Sequence, residues 1–345
     1  MTSSAASLPG TGPETATPAR MRFTVDSWDP SYGTSSELED ELGESTARID
    51  VAIERTAETW APIDPAGATP QPEAVLFIDG VRRIEARLWI DDVAVDGPAT
   101  EASSALAASY AAGVVCCCKS GAHHLVSQTR RGLFTVAAHA SDVTTTAGTY
   151  LATRTAPSAA MPLSVTLSQA LQRRLGELEL QVAVDARASL AEHGVGEDDL
   201  LVVDGPLRGR THLPRALGFI KSHRSAYLPP TLHAMVGRLT AGQRTPVFLM
   251  GTSWDRHAWY LRLPCLPGSP WAGIVRVECS ADLPTAEVVA LANASQVTLC
   301  RYASAEYKDT RAPQNLVPIA GLERELRRRL GDPRVLHRAL RAASA

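Results

Sequence analysis

The chain has 345 residues, of which 45% are hydrophobic, 21% charged and 5% aromatic, with 34 Lys+Arg against 37 Asp+Glu. This is the composition of a folded chain, and the length allows one large domain or two small ones. No apolar run of the roughly 18 residues that a membrane helix needs is present, and the first residues lack a basic segment leading into an apolar core, so the expected setting is cytoplasmic with no membrane contact.

The near-neutral total conceals an uneven distribution. Residues 1–45 hold eight acidic and two basic side chains, residues 204–262 two acidic and nine basic, and residues 322–341 seven arginines and three acids. The basic middle and basic tail are candidate phosphate-binding stretches, against the plainer reading of solvated helix faces. The six cysteines, Cys116, Cys117, Cys118, Cys265, Cys279 and Cys300, contain no Cys-x-x-Cys pair. They read as reduced, small hydrophobic side chains rather than as disulfides or a zinc site.

In chain order, residues 1–20 are rich in Ser, Thr, Ala and Pro and are expected to be disordered. Residues 21–345 are expected to form a single domain. Leu38, Leu42, Ile49, Ile53 and Trp60 recur at helical spacing and predict a helix over 35–60, followed by a connector over 63–72. Val75–Ile78, ending in Asp79-Gly80, and Arg83–Ile90, with Ile84, Ala86, Leu88 and Ile90 on one face, predict a hairpin or adjacent strands. Further strands are expected at 111–119, 133–139, 200–203, 218–221, 246–251, 257–263 and 273–278. Helices are expected at 164–192, 230–239, 285–298 and 319–330. Strands alternating with helices in this way predict one mixed α/β domain.

Several chemistries lose support. There is no Gly-Lys-[Ser/Thr] phosphate loop, no Gly-x-Gly-x-x-Gly after a strand, no Gly-x-Ser-x-Gly and no His-Glu-x-x-His. What stands out is a repeated pattern: Val75-Leu76-Phe77-Ile78-Asp79-Gly80 and Leu200-Leu201-Val202-Val203-Asp204-Gly205. In each, an apolar strand runs into Asp-Gly. A buried strand delivers its carboxylate at a fixed point, and two such carboxylates converging suit a hard cation, Mg²⁺ or Mn²⁺. That is the equipment of a phosphodiester hydrolase, although Asp-Gly also forms ordinary turns. Between the two aspartates, the long predicted helix carries Glu177 and Glu179. Projected on a helical wheel, Glu179 falls at the edge of the apolar face and Glu177 outside it.

With these residues in place, the chain resembles the NurA nucleases, which act with HerA-type hexameric ATPases in DNA end resection and repair. The carriers are Phe77-Ile78-Asp79-Gly80, Val202-Val203-Asp204-Gly205-Pro206-Leu207, Gly218-Phe219-Ile220-Lys221-Ser222, Gly242-Gln243-Arg244-Thr245-Pro246, Trp259-Tyr260-Leu261-Arg262-Leu263 and Arg311-Ala312-Pro313-Gln314-Asn315-Leu316. The resemblance spans residues 75–331. It implies an RNase H-like mixed sheet flanked by helices and a Mn²⁺- or Mg²⁺-dependent DNA nuclease of 5′–3′ exonuclease and endonuclease type. It further implies a homodimer and a HerA-type partner. It places the metal on Asp79, Asp204 and a helix carboxylate that falls on Glu179 or Glu177, of which the wheel favours Glu179, with Lys221 facing a phosphate. The family's late histidine is missing, and Asn315 stands as the substitute oxygen ligand. Its absence also supports an alternative, a nuclease-like DNA-binding subunit that regulates the motor with little or no cutting.

Arg82, Arg83, Arg208, Arg210 and Arg224 flank the two aspartates and are expected to grip DNA. Other residues take plainer readings. Glu85 reads as a strand-face glutamate, His123 and His124 as loop residues, Trp259 as core, and Glu278 as a secondary acidic candidate.

Overall fold

The computed structural model describes residues 43–44, 47–90, 102–138, 140–192, 198–223 and 225–344. Its elements are, in chain order, β1 (Gly43–Glu44), β2 (Arg48–Asp50), β3 (Ala74–Ile90), β4 (Ser103–Cys118), β5 (Gly121–Thr135), β6 (Val143–Thr145), β7 (Gly148–Arg154), α1 (Leu163–Glu192), β8 (Asp199–Asp204), β9 (Ala216–Ile220), β10 (Ser225–Ala226), α2 (Pro230–Val236), β11 (Phe248–Gly251), β12 (Asp255–Arg262), β13 (Ile274–Ser280), α3 (Thr285–Tyr302), α4 (Val317–Arg329) and α5 (Pro333–Ala343).

Among the described residues, eleven strands form one mixed sheet in the order β2-β11-β12-β13-β9-β8-β3-β4-β5-β7-β6. The parallel pairings β3–β8 and β8–β9 lie near its centre, antiparallel pairings flank them on both sides, and β7 pairs parallel to β5 further out. The central strands are apolar without alternation because both faces are covered. On one face, α1 packs Leu167, Leu171, Leu175, Leu178 and Val182 against Leu76, Ile78, Leu201 and Val203. On the other, Val75, Phe77, Leu200, Val202, Leu217 and Phe219 meet Val288, Leu291 and Leu299 of α3 and Ile319 of α4. The result is a mixed α/β architecture with a large sheet flanked by helices.

Three sequence expectations are corrected. The predicted helix over 35–60 falls partly outside the described residues, and the described part is not helical. Ile49 sits in β2, paired with Met250 of β11. The chain then turns, and Glu54 is fixed by two oxygen contacts to Arg244, at 2.7 and 2.8 Å, and by the Val247 N–H. Tertiary pairing has overridden a helical spacing of apolar residues.

The expected hairpin at Asp79-Gly80 is absent. β3 runs straight through it for 17 residues, and Asp79 and Gly80 pair with Gly113 and Ala112 of β4. The partner strand β8 is the one that stops, at Asp204.

The expected common face of Ile84, Ala86, Leu88 and Ile90 is broken by an irregularity between Ile84 and Ala86. One extra residue in a strand flips the faces beyond it. Ile84 is accordingly 52% exposed. Ala86, Leu88 and Ile90 pack beside Leu133, Tyr150 and Leu340. Glu85 sits at this irregularity with its side chain buried against Arg83.

The smaller readings resolve as follows. The six cysteines are free thiols, with Cys116, Cys117 and Cys279 buried. His123 and His124 lie exposed on β5 rather than in a loop. Trp259 is fully buried and donates to Ser295 Oγ. No helix among the described residues is long and apolar enough to cross a membrane.

Candidate active site

Strand alternation fixes where the aspartates point. Val75 and Phe77 face α3, so Asp79 faces the same way, and Leu200 and Val202 direct Asp204 likewise. Because β3 and β8 are parallel with Ile78 opposite Val203, the two aspartates are neighbours across the sheet. The strand β9 adds Lys221 immediately beyond Ile220, and Lys221 Nζ donates to Asp204 Oδ2 at 2.7 Å and to Asn315 Oδ1 at 3.4 Å. Four of the sequence-selected residues, Asp79, Asp204, Lys221 and Asn315, thus converge on the α3–α4 face.

Glu179 reaches this centre from the other face. It projects from α1 onto the backbone of Gly80, where an added Cβ would press on Glu179 Oε1 and lie 2.7 Å from Leu175 Cδ1. Only a glycine leaves room for that approach. Glu179 is buried and paired with Arg210, whereas Glu177 is exposed and paired with Arg174 at 2.8 Å. The wheel argument had separated the two residues in this sense.

The electrostatics are those of crowded carboxylates. Burial pushes the Asp79 carboxyl well above the ordinary carboxylate range. The Asp204 charge adds to this, and Glu179 adds less, while Lys221 and the Gly80 N–H oppose it. The Glu179 carboxyl is also raised, chiefly by burial, with Arg210 opposing. Adjacent carboxyls taken out of water favour the protonated form of at least one of them.

Two further acids were not singled out as part of this centre by the sequence. Asp309 accepts from Asn315 Nδ2 at 2.6 Å, which turns the amide oxygen of the fully buried Asn315 towards Lys221. The chain continues through Arg311, which lies 3.8 Å from Asp309 and 2.6 Å from Glu323 of α4. Glu278, read only as a secondary candidate, is fully buried. It accepts from Leu207 N at 2.8 Å and lies 3.1 Å from Arg256 and 3.9 Å from Arg276. Burial raises its carboxyl, and Arg276, the Leu207 N–H and Arg256 work against that rise. By holding Leu207 it fixes the loop that carries Arg210 to Glu179. Neither residue carries a periodic signal, since both sit in irregular or fully buried polar surroundings.

The expected DNA contacts divide. Arg208 is exposed, and Arg82 is exposed with a contact to Ser168. Two expectations are corrected: Arg83 is turned inward onto Glu85 and the Gly331 carbonyl, and Arg210 is committed to Glu179. In both cases a buried carboxylate claims the guanidinium. Arg224 lies outside the described residues.

The oxygen donors Asp79, Asp204, Glu179 and Asn315 are the chemical type that a hard divalent cation takes. Among the described residues, however, no three His, Cys, Asp or Glu side chains stand close enough together to hold an ion as they are. Two of the three carboxylates are held by Lys221 and Arg210.

No family model matches the chain, and no curated protein matches its sequence. Among solved structures, the NurA nuclease from Sulfolobus solfataricus superposes with a TM-score of 0.38 at 10% identity, over 79% of this chain and 84% of that one. A likeness this loose assigns nothing by itself.

Proposed function

We propose that this chain is a divalent-metal-dependent nuclease acting on DNA, with Asp79 and Asp204 at its centre. The observation that supports the reading is the placement of these two aspartates side by side at the point where β8 ends, with Lys221 against them. Asp79, Asp204 and Glu179 would hold the metal, with the Asn315 oxygen as a further donor, only by closing in from their present positions, with Asp204 leaving Lys221 and Glu179 leaving Arg210. The bound ion would supply Lewis acidity towards a phosphate and an acidified water.

The chain's own residues do the rest. Lys221 places a positive charge where a phosphate oxygen develops charge, and Asn315, held by Asp309, keeps Lys221 in position. Arg82 and Arg208 offer exposed charge to the DNA backbone. The RNase H-like fold, the homodimer and a HerA-type hexameric ATPase as partner belong to the same proposal and rest on the sequence resemblance.

A second reading is favoured by one observation. With Lys221 and Arg210 neutralising two of the three carboxylates, the chain suits a nuclease-like subunit that binds DNA and regulates a motor without cutting. A cleavage assay of the purified protein on linear DNA with Mn²⁺, with and without EDTA, separates the two. The nuclease reading predicts EDTA-sensitive cleavage that Asp204→Ala abolishes. Tight DNA binding with no cleavage in any divalent metal would establish the second reading instead.

A further inference from the structure

The arginine-rich tail forms a defined surface that the candidate site does not use. Helix α5 contains no acidic residue and carries Arg334, Arg338 and Arg341. At about 100° per residue these three fall within roughly 60° of one another. The buried residues Leu336, Ala339 and Leu340 centre on the opposite side of the helix. The arginine stripe therefore faces straight outward, and all three residues are exposed.

The acids near the stripe are already engaged. Glu323 binds Arg311 and Arg327, and Glu325 binds Arg328 and Arg329. Asp332 caps α5 by accepting from the Arg334 and Val335 N–H groups, and the Arg334 and Arg338 charges are near enough to lower its carboxyl further without an ion pair. None of the ion pairs among the described residues includes Arg334, Arg338 or Arg341.

The helix is also fixed relative to the candidate site. Leu340 packs in the cluster that includes Ala105, Ala107, Leu133 and Tyr150. His337 lies 3.2 Å from the Glu85 carbonyl, and Arg83 donates to the Gly331 carbonyl just before α5. Six residues of strand separate Glu85 from Asp79, a distance of about 20 Å.

We propose that the α5 stripe is a second nucleic-acid contact, gripping the phosphate backbone away from the carboxylates. Its three arginines span about 10 Å along the helix, which covers about three nucleotide steps of one strand at roughly 3.4 Å of axial rise each, enough for each arginine to meet a phosphate of its own. The planar guanidinium favours paired hydrogen bonds to phosphate oxygens, so three arginines suit this ligand better than three lysines would. The inference rests on the reading of the chain as a DNA-acting protein but not on its cutting activity.

The test is fluorescence anisotropy of a labelled 30-base-pair DNA with the full chain across a salt series. The variants are R334A/R338A/R341A and a charge-matched control, R55A/R173A/R301A, which removes three exposed arginines elsewhere. The stripe predicts that the first variant flattens the log–log salt slope by about 2.7, from about 0.9 per lost phosphate contact. It also predicts weaker binding by at least tenfold at moderate salt, with the control unchanged. An unchanged slope and affinity in the α5 variant, or an equal loss in the control, overturns the proposal. Wild-type binding to anionic lipid vesicles with none to DNA would assign the stripe to a membrane surface and also overturn it. Loss of DNA binding in the α5 variant of a protein that never cleaves DNA would uphold the stripe while refuting the nuclease reading.

Discussion

The Gly80→Ala substitution tests how Glu179 reaches the candidate site. Gly80 does not occupy a left-handed conformation, so an alanine is compatible with its backbone and would stiffen the unfolded chain, a gain of about 0.4–1 kcal/mol. Against this, the new Cβ would press on Glu179 Oε1, lie 2.7 Å from Leu175 Cδ1 and lie 3.1 Å from Glu179 Cδ. Overpacking of this kind costs about 1–3 kcal/mol. The leucine methyl can swing away, but the Glu179 carboxylate is held by Arg210. The expected net loss is therefore about 1–2 kcal/mol. In a Glu179→Ala background the main obstacle is gone, and Gly80→Ala should become neutral or slightly stabilising. The double-mutant cycle, read by urea denaturation at constant m-value, should give a coupling of about 1–2 kcal/mol. A cycle that closes with no coupling, or a Gly80→Ala protein as stable as wild type, would refute the contact between Glu179 and the β3 backbone.

Other outcomes follow from the buried polar groups. Burial holds the His223 ring neutral and lowers its pKa from 6.5 to about 4. As the pH falls below 6.5 the unfolded chain takes up a proton that the folded chain refuses, so stability should decline by about 3 kcal/mol between pH 6.5 and 4. In denaturation curves across that window His223→Gln should show a shallower decline, and an identical decline in both proteins would count against the assignment. Glu278→Ala would leave Arg256 and Arg276 buried without their carboxylate and should cost about 3–5 kcal/mol by chemical denaturation, whereas Glu278→Gln, which still accepts from Leu207, should cost less. Asp309→Ala should lower DNA cleavage by freeing the Asn315 amide to rotate, with less loss of stability than Glu278→Ala; full cleavage in Asp309→Ala would remove Asn315 orientation from the account.

The legible part of the fold was what burial on two faces imposes. The apolar runs around Val75–Ile78 and Leu200–Val203 mark the central strands, and the spacing of the α1 leucines separates Glu179 from Glu177. The illegible part came from single-residue events and from buried polar chemistry. Asp79-Gly80 reads as a turn because Asp-Gly usually makes one, yet β4 pairs with β3 straight through it. The irregularity beside Glu85 inverted the faces of the next residues, which no alternation pattern can reveal. The spacing of Ile49, Ile53 and Trp60 imitated a helix because an edge strand and a turn place apolar groups at similar intervals. Glu278 acts through Leu207, far away in the chain, and Asp309 through Asn315 across an irregular segment, so neither role had a periodic signature. Helix α5 was hidden because its arginines outweighed the three small apolar contacts that dock it.

The claim that Asp79 and Asp204 form one reactive centre is tested most directly by single-turnover cleavage of DNA in Mn²⁺ by Asp79→Asn, Asp204→Asn and the double variant. Groups that act as a unit are grossly non-additive, so each single variant should be as inactive as the double, with DNA binding retained. Substantial cleavage by either single variant, or losses that simply multiply in the double, would contradict a shared centre.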